Sequence, residues 1–116
     1  MPRPENLLPL KPHWFHILLS LSGQERHGYA IMQEVLERTG GKLRLWPATL
    51  YGTLKRLMDA DLIEECPASS GPGADARRRS YRLTRFGRRV LAAESDRLEE
   101  LVRIIRAKRG LKKAEA

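Results

Sequence analysis

A chain of 116 residues fits one domain with a modest core, and two independently folding units are not expected. Lysine and arginine total 22 against 14 acids, so the net charge is +8 and the pI is near 10.3, a balance that suits nucleic acid, an anionic membrane surface or an acidic protein. Cys66 is the single cysteine, which excludes an internal disulfide and a thiolate-cluster metal site, and no run is apolar enough for a secretory signal or a membrane span; a soluble protein of the reducing cytoplasm is expected.

Met1 to Pro12 is punctuated by proline, yet Leu7, Leu8 and Leu10 are too apolar for a free tail, so this arm is expected to lie against the body or a partner. His13 to Leu21, HWFHILLSL, reads as a helix with Trp14, Ile17, Leu18 and Leu21 on one side and Phe15 and Leu19 on a second. A helix apolar on most sides needs cover on most sides. In so small a domain, part of this surface, including Trp14, Phe15 and Leu18, is expected to meet a second subunit. His27 to Thr39 is a second helical pattern, with Met32, Val35 and Leu36 on one face and Tyr29 near its start; Gly40 and Gly41 stop it. Lys42 to Trp46, KLRLW, alternates polar and apolar residues, as a short extended segment does.

Pro47 to Ile63, PATLYGTLKRLMDADLI, reads as the helix that the rest of the chain supports. Proline suits the first helical position, where its missing N–H has no partner to lose. Leu50, Leu54 and Leu57 form a core-facing stripe with Met58 at its edge. The opposite face carries Ala48, Thr49, Gly52, Lys55 and Arg56, small or cationic throughout. Gly52 costs about 1 kcal/mol relative to alanine inside a helix, which suggests that something approaches closely there. Duplex DNA is the leading candidate.

Two strands are expected next, at Leu62–Cys66 and Ser80–Thr84, joined by the hairpin loop PASSGPGADARR. Arg77, Arg78 and Arg79 lie at its far side, followed by Arg82, Arg85, Arg88 and Arg89, with no acid from Ala76 to Ala93; such a hairpin suits a phosphate track. Arg85 to about Arg109 then reads as one long helix capped by Thr84. Leu91, Leu98 and Ile105 recur every seven residues, with Leu101 and Val102 alongside. A helix of that length outruns what the domain can cover, so its seam is expected to pack on a partner chain, most simply a second copy.

HGYAIMQEV at 27–35, PATLYGTLKRL at 47–57, DLIEE at 61–65 and RRSYRLTRFGRRVL at 78–91 resemble the PadR family of bacterial and archaeal winged helix-turn-helix transcription regulators. The resemblance runs from roughly Leu10 to Leu91, and its most specific pieces are TLY, LxRL and RxYxLTxxG. It implies a mainly α fold with a small β hairpin, in which residues 1–84 form the winged helix-turn-helix DNA-binding domain with its arm. Residues 85–116 form a C-terminal dimerisation helix and tail, as in the short subfamily. The Pro47 helix would enter the major groove of double-stranded DNA, the arginine hairpin would be the wing, and the product would be a homodimeric repressor. Residue by residue, Thr49 and Tyr51 match the TLY hydroxyls that address phosphates, Lys55 and Arg56 match groove-side polar positions, and Tyr29 matches the GY of the second helix. Met58 departs from the family's usual acid, and Asp61 stands where glycine is usual; aspartate tolerates the left-handed turn better than most residues do.

Trp14, Phe15 and Trp46 could line a cavity for a small aromatic effector, as in some relatives, but aromatic residues at helical spacing more often pack as core. His13, His16 and His27 lack carboxylates or thiols at matching spacing, so no metal or other cofactor is expected. Cys66 reads as a buried, inert strand cysteine rather than an oxidant sensor. No nucleophile, base and oxyanion set is recognisable, so an enzyme is the weakest reading. The rivals to a specific regulator are a winged-helix protein-interaction module and a nucleoid or RNA binder without sequence preference.

Overall fold

The computed structural model describes residues 2–66 and 79–109. A 3-10 turn at Pro4–Leu7 leads into α1 (Pro12–Ser20), β1 (Arg26–His27), α2 (Gly28–Arg38), α3 (Pro47–Asp59), β2 (Ile63–Cys66), β3 (Ser80–Leu83) and α4 (Arg85–Arg109). The strands form one antiparallel sheet in the order β1-β3-β2, with Arg26 opposite Tyr81 on one side of β3 and Ile63 opposite Leu83 on the other. The sequence led to a two-stranded hairpin. The added strand has only two residues, too short to show period-two alternation, and forms because Arg26 is anchored twice, donating to the Ser20 carbonyl at 2.8 Å and pairing with Glu34 at 2.8 Å.

Ile17, Leu18 and Leu21 of the α1 region, Ile31 and Val35 of α2, and Leu50, Leu54 and Leu57 of α3 meet in a single core with Leu62, Ile63, Tyr81 and Leu83 of the sheet and the turn before it, and with Val90 of α4. Leu18 is wholly buried in it and offers nothing to a partner, which corrects its assignment to a subunit interface. Its stripe on α1 faces α2 and α3, so the domain itself satisfies it.

Both α2 and α3 end in the same way. After α2, Gly40 takes φ 61° and the N–H groups of Gly40 and Gly41 reach back to the carbonyls of Glu37 and Leu36. After α3, Asp61 takes φ 62° while the N–H groups of Asp61 and Leu62 reach back to Met58 and Leu57. These are the two hydrogen bonds of a Schellman stop, which requires a left-handed residue at its turn. The second stop ends the helix at Asp59, four residues before the expected Ile63, and turns the chain so that Leu62 is buried and Ile63 starts β2.

That turn is also where α4 is seated. Thr84 caps α4 by accepting the Gly87 N–H at 2.9 Å, donates its hydroxyl to the Asp61 carbonyl at 2.6 Å, and gives its own N–H to the Leu62 carbonyl at 3.1 Å. Gly87 lies so near that a Cβ there would fall 1.9 Å from the Leu62 oxygen. At the other edge of α4, buried Glu94 accepts the Leu10 N–H at 2.9 Å and ties the N-terminal arm to the helix. Arg97 beside it, helped by that Leu10 donor, holds the Glu94 carboxyl below the usual carboxylate range although burial pushes it the other way. From Leu98 to Lys108 every residue of α4 is exposed, so the helix runs on past the body.

Candidate nucleic-acid interface

The start of α3 is fixed by Pro47 at its first position and by the Trp46 carbonyl, which accepts the Leu50 N–H at 2.8 Å. Burial of Leu50, Thr53, Leu54 and Leu57 then determines which face turns outward. Ala48, Thr49, Lys55 and Arg56 are all exposed, and among the described residues neither Lys55 nor Arg56 has a carboxylate partner. Around Gly52, a Cβ would meet only the Arg56 guanidinium, at 4.0 Å. Nothing in the described chain demands a small residue at position 52.

Tyr51 is seated against α2. Its ring rests on the first residue of α2, where a Cβ on Gly28 would stand 3.0 Å from the Tyr51 oxygen and 3.3 Å from two ring carbons. The smallness of Gly28 therefore lets α2 and α3 close around the tyrosine, leaving it 46% exposed. Tyr29, next along α2, is 65% exposed, and its hydroxyl accepts from Gln33 at 2.9 Å. The GY of α2 and the TLY of α3 thus meet at one outward corner. Burial, with Glu65 and Tyr51 close by, pushes the phenol of Tyr81 on β3 above its ordinary value.

The wing strands carry their own counter-charges. Arg79 pairs with Glu65 at 2.8 Å and Arg82 with Glu64 at 2.7 Å, the latter directly across the strand pair. Both arginines are more than half exposed. Exposed pairs of this kind are worth about 0–1 kcal/mol, so Arg79 can exchange its carboxylate for a phosphate at little cost. Alternation along the two strands held the signal for these pairs, which a run of arginines read by itself conceals. Arg77 and Arg78 lie outside the described residues.

Trp46 overturns an expectation. It is 63% exposed rather than core, and the Arg44 guanidinium sits over its ring at 5.1 Å from the centroid. Lys42, Arg44 and Trp46 occupy the outward positions of the extended segment, while Leu43 and Leu45 turn inward. That alternation is visible in the sequence, and it puts Trp46 on the cationic, outward side, whereas hydrophobicity alone assigns it to the core.

Trp14, Phe15 and Leu91 are half-buried. Phe15, Leu19, Leu83, Leu91 and Leu98 line an apolar groove of about 470 Å³ between α1 and α4. His16 is directed elsewhere. Its Nδ1 lies 3.2 Å from Arg38, and burial together with that arginine lowers its pKa. Ser80 lies 3.1 Å from Nδ1 of His27, and no three potential metal ligands converge among the described residues. Burial, reinforced by Glu25, pushes the Cys66 thiol up to about 11. Thiol reagents at neutral pH are therefore expected to leave native Cys66 unmodified and to label it stoichiometrically in denaturant; rapid labelling of the native chain would contradict its burial.

Comparison with known proteins places this arrangement. Residues 17–93 match the model of the transcriptional regulator PadR-like family. The transcriptional regulator Rv3488 of Mycobacterium tuberculosis is 42% identical over 89 residues, covering 76% of this chain and 77% of that protein. A PadR family transcription regulator from Clostridium difficile superimposes with a TM-score of 0.68 at 25% identity, over 84% of this chain and 97% of that one. Bacillus subtilis PadR, solved in complex with operator DNA, superimposes with a TM-score of 0.62 at 26% identity, over 73% of this chain and 47% of its own. The sheet beside α3, the capped α4 and the family match converge, and the chain belongs to the PadR-like family of transcriptional regulators.

Proposed function

We propose that this protein is a sequence-specific DNA-binding repressor that acts as a homodimer on a palindromic operator. The observation that carries this reading is the outward face of α3. It is rigidly mounted and uncovered by the described chain, its one acid, the exposed Asp59, stands at the far C-terminal end, and no acid occurs anywhere from Arg38 to Met58. The operator complex of Bacillus subtilis PadR supports DNA as its occupant. In this reading Ala48, Thr49, Gly52, Lys55 and Arg56 enter the major groove, Tyr29 and Tyr51 address flanking phosphates, and Arg79 leads the wing with Arg77 and Arg78 onto the backbone.

The second copy sits on α4. Leu98, Leu101, Val102 and Ile105 form an uncovered apolar stripe, and the groove between Phe15 and Leu91 continues it toward the body. Residues 85–116 then serve as the dimerisation helix and tail, although the arm of the first domain is docked on this helix through Glu94. Two-fold symmetry sets the half-sites about one helical turn, ~10 bp, apart.

Alanine at Lys55 or Arg56 is expected to weaken operator binding by about 1–3 kcal/mol while leaving random duplex nearly unaffected. Alanine at Arg79 is expected to weaken both alike and to lower the salt slope by about one. Fluorescence anisotropy across a salt series reads both effects. Equal losses on both duplexes for all three variants would contradict this division of labour.

A further inference from the structure

We propose that Arg44 and Trp46 form a second DNA contact, a clamp on the sugar–phosphate backbone beside the groove that α3 enters. The proposal rests on the DNA-binding reading above and extends it to residues outside α3 and the wing.

The backbone of Trp46 is fixed by the start of α3. It caps α3 with extended backbone angles of φ −67° and ψ 152°, its carbonyl makes the helix's first hydrogen bond, and it stands between buried Leu45 and the proline that opens the helix. The indole is therefore mounted on the scaffold that mounts Ala48 and Thr49, and a surface lying against those residues comes within its reach. Arg44 stacked on the indole keeps a cation and an apolar plane side by side.

Charge selects the occupant. From Lys42 to Met58 the cations Lys42, Arg44, Lys55 and Arg56 have no acid between them in the chain. A second copy of this chain would bring its own +8, whereas a duplex brings a regular array of phosphates. A deoxyribose offers an apolar face to the indole, and the adjoining phosphate accepts the guanidinium N–H groups. Such a contact reads no bases, so it strengthens specific and random binding alike.

The chain has two tryptophans, so Trp14→Phe leaves Trp46 as the sole indole reporter. Acrylamide quenching of this variant is measured with and without a random-sequence duplex at low salt, alongside anisotropy titrations of Trp46→Ala and Arg44→Ala in the otherwise native chain. Circular dichroism confirms that each is folded. The proposal expects the duplex to shield Trp46 from quencher, Trp46→Ala to weaken random and selected duplexes alike by about fivefold, and Arg44→Ala to lower the salt slope by about one. Duplex binding with unchanged quenching and unchanged affinity of Trp46→Ala would overturn the clamp and leave the α3 reading standing. Absence of any duplex binding by the native chain would remove both.

Discussion

Gly87→Ala is expected to be the most damaging conservative change in the fold. The added methyl carbon would lie 1.9 Å from the Leu62 oxygen and 2.9 Å from its carbonyl carbon, and both are backbone atoms with no rotamer to retreat into. To admit it, α4 must lift from the turn after α3. That movement stretches the Thr84 bonds to Asp61 and Leu62 and uncovers Val90, which is otherwise fully buried. Overpacking costs about 1–3 kcal/mol and each lost hydrogen bond about 1 kcal/mol, so a total of roughly 3–5 kcal/mol is expected. A domain of this size has about 5–15 kcal/mol of stability to lose. Urea unfolding followed by circular dichroism checks it, and a midpoint equal to that of the native chain would show that α4 is not clamped as described.

The second large effect is expected from Leu101→Glu combined with Ile105→Glu. These side chains are 42% and 49% exposed on the part of α4 that extends past the body, so their loss hardly disturbs the protomer. Across a two-fold seam the same change sets carboxylates against an apolar partner and against each other. A folded monomer is expected by light scattering, with operator affinity reduced by about a hundredfold or more because the two half-sites are no longer bound as one unit. A dimer of unchanged mass would place the subunit contact elsewhere.

Much of the fold was legible because its signals are local. Pro47 marked the start of α3, the Gly40–Gly41 pair marked the end of α2, and Thr84 was recognisable as the cap of α4. Asp61 was recognisable as a left-handed position despite the missing glycine, and its φ of 62° fits that reading. The RxYxLTxxG motif becomes physical in the structure. Arg79 pairs with Glu65, Tyr81 and Leu83 are buried, Thr84 caps, and Gly87 admits the Leu62 carbonyl.

What stayed hidden depended on contacts distant in sequence. The outward turn of Trp46 follows from Leu43 and Leu45 having claimed the core, which hydrophobicity alone does not reveal. Leu18 looked available to a partner because one helix in isolation cannot show that α2 and α3 already cover it. The pairing of Arg79 with Glu65 depends on strand register, and the seat of Tyr51 depends on Gly28, more than twenty residues earlier in the chain.

Selection from a randomised duplex library at near-physiological salt, with the mass of the bound complex read by light scattering, tests the central claim most directly. The account predicts enrichment of one palindrome, half-sites about 10 bp apart, bound by two chains. Binding without enrichment, or no binding at all, would contradict it.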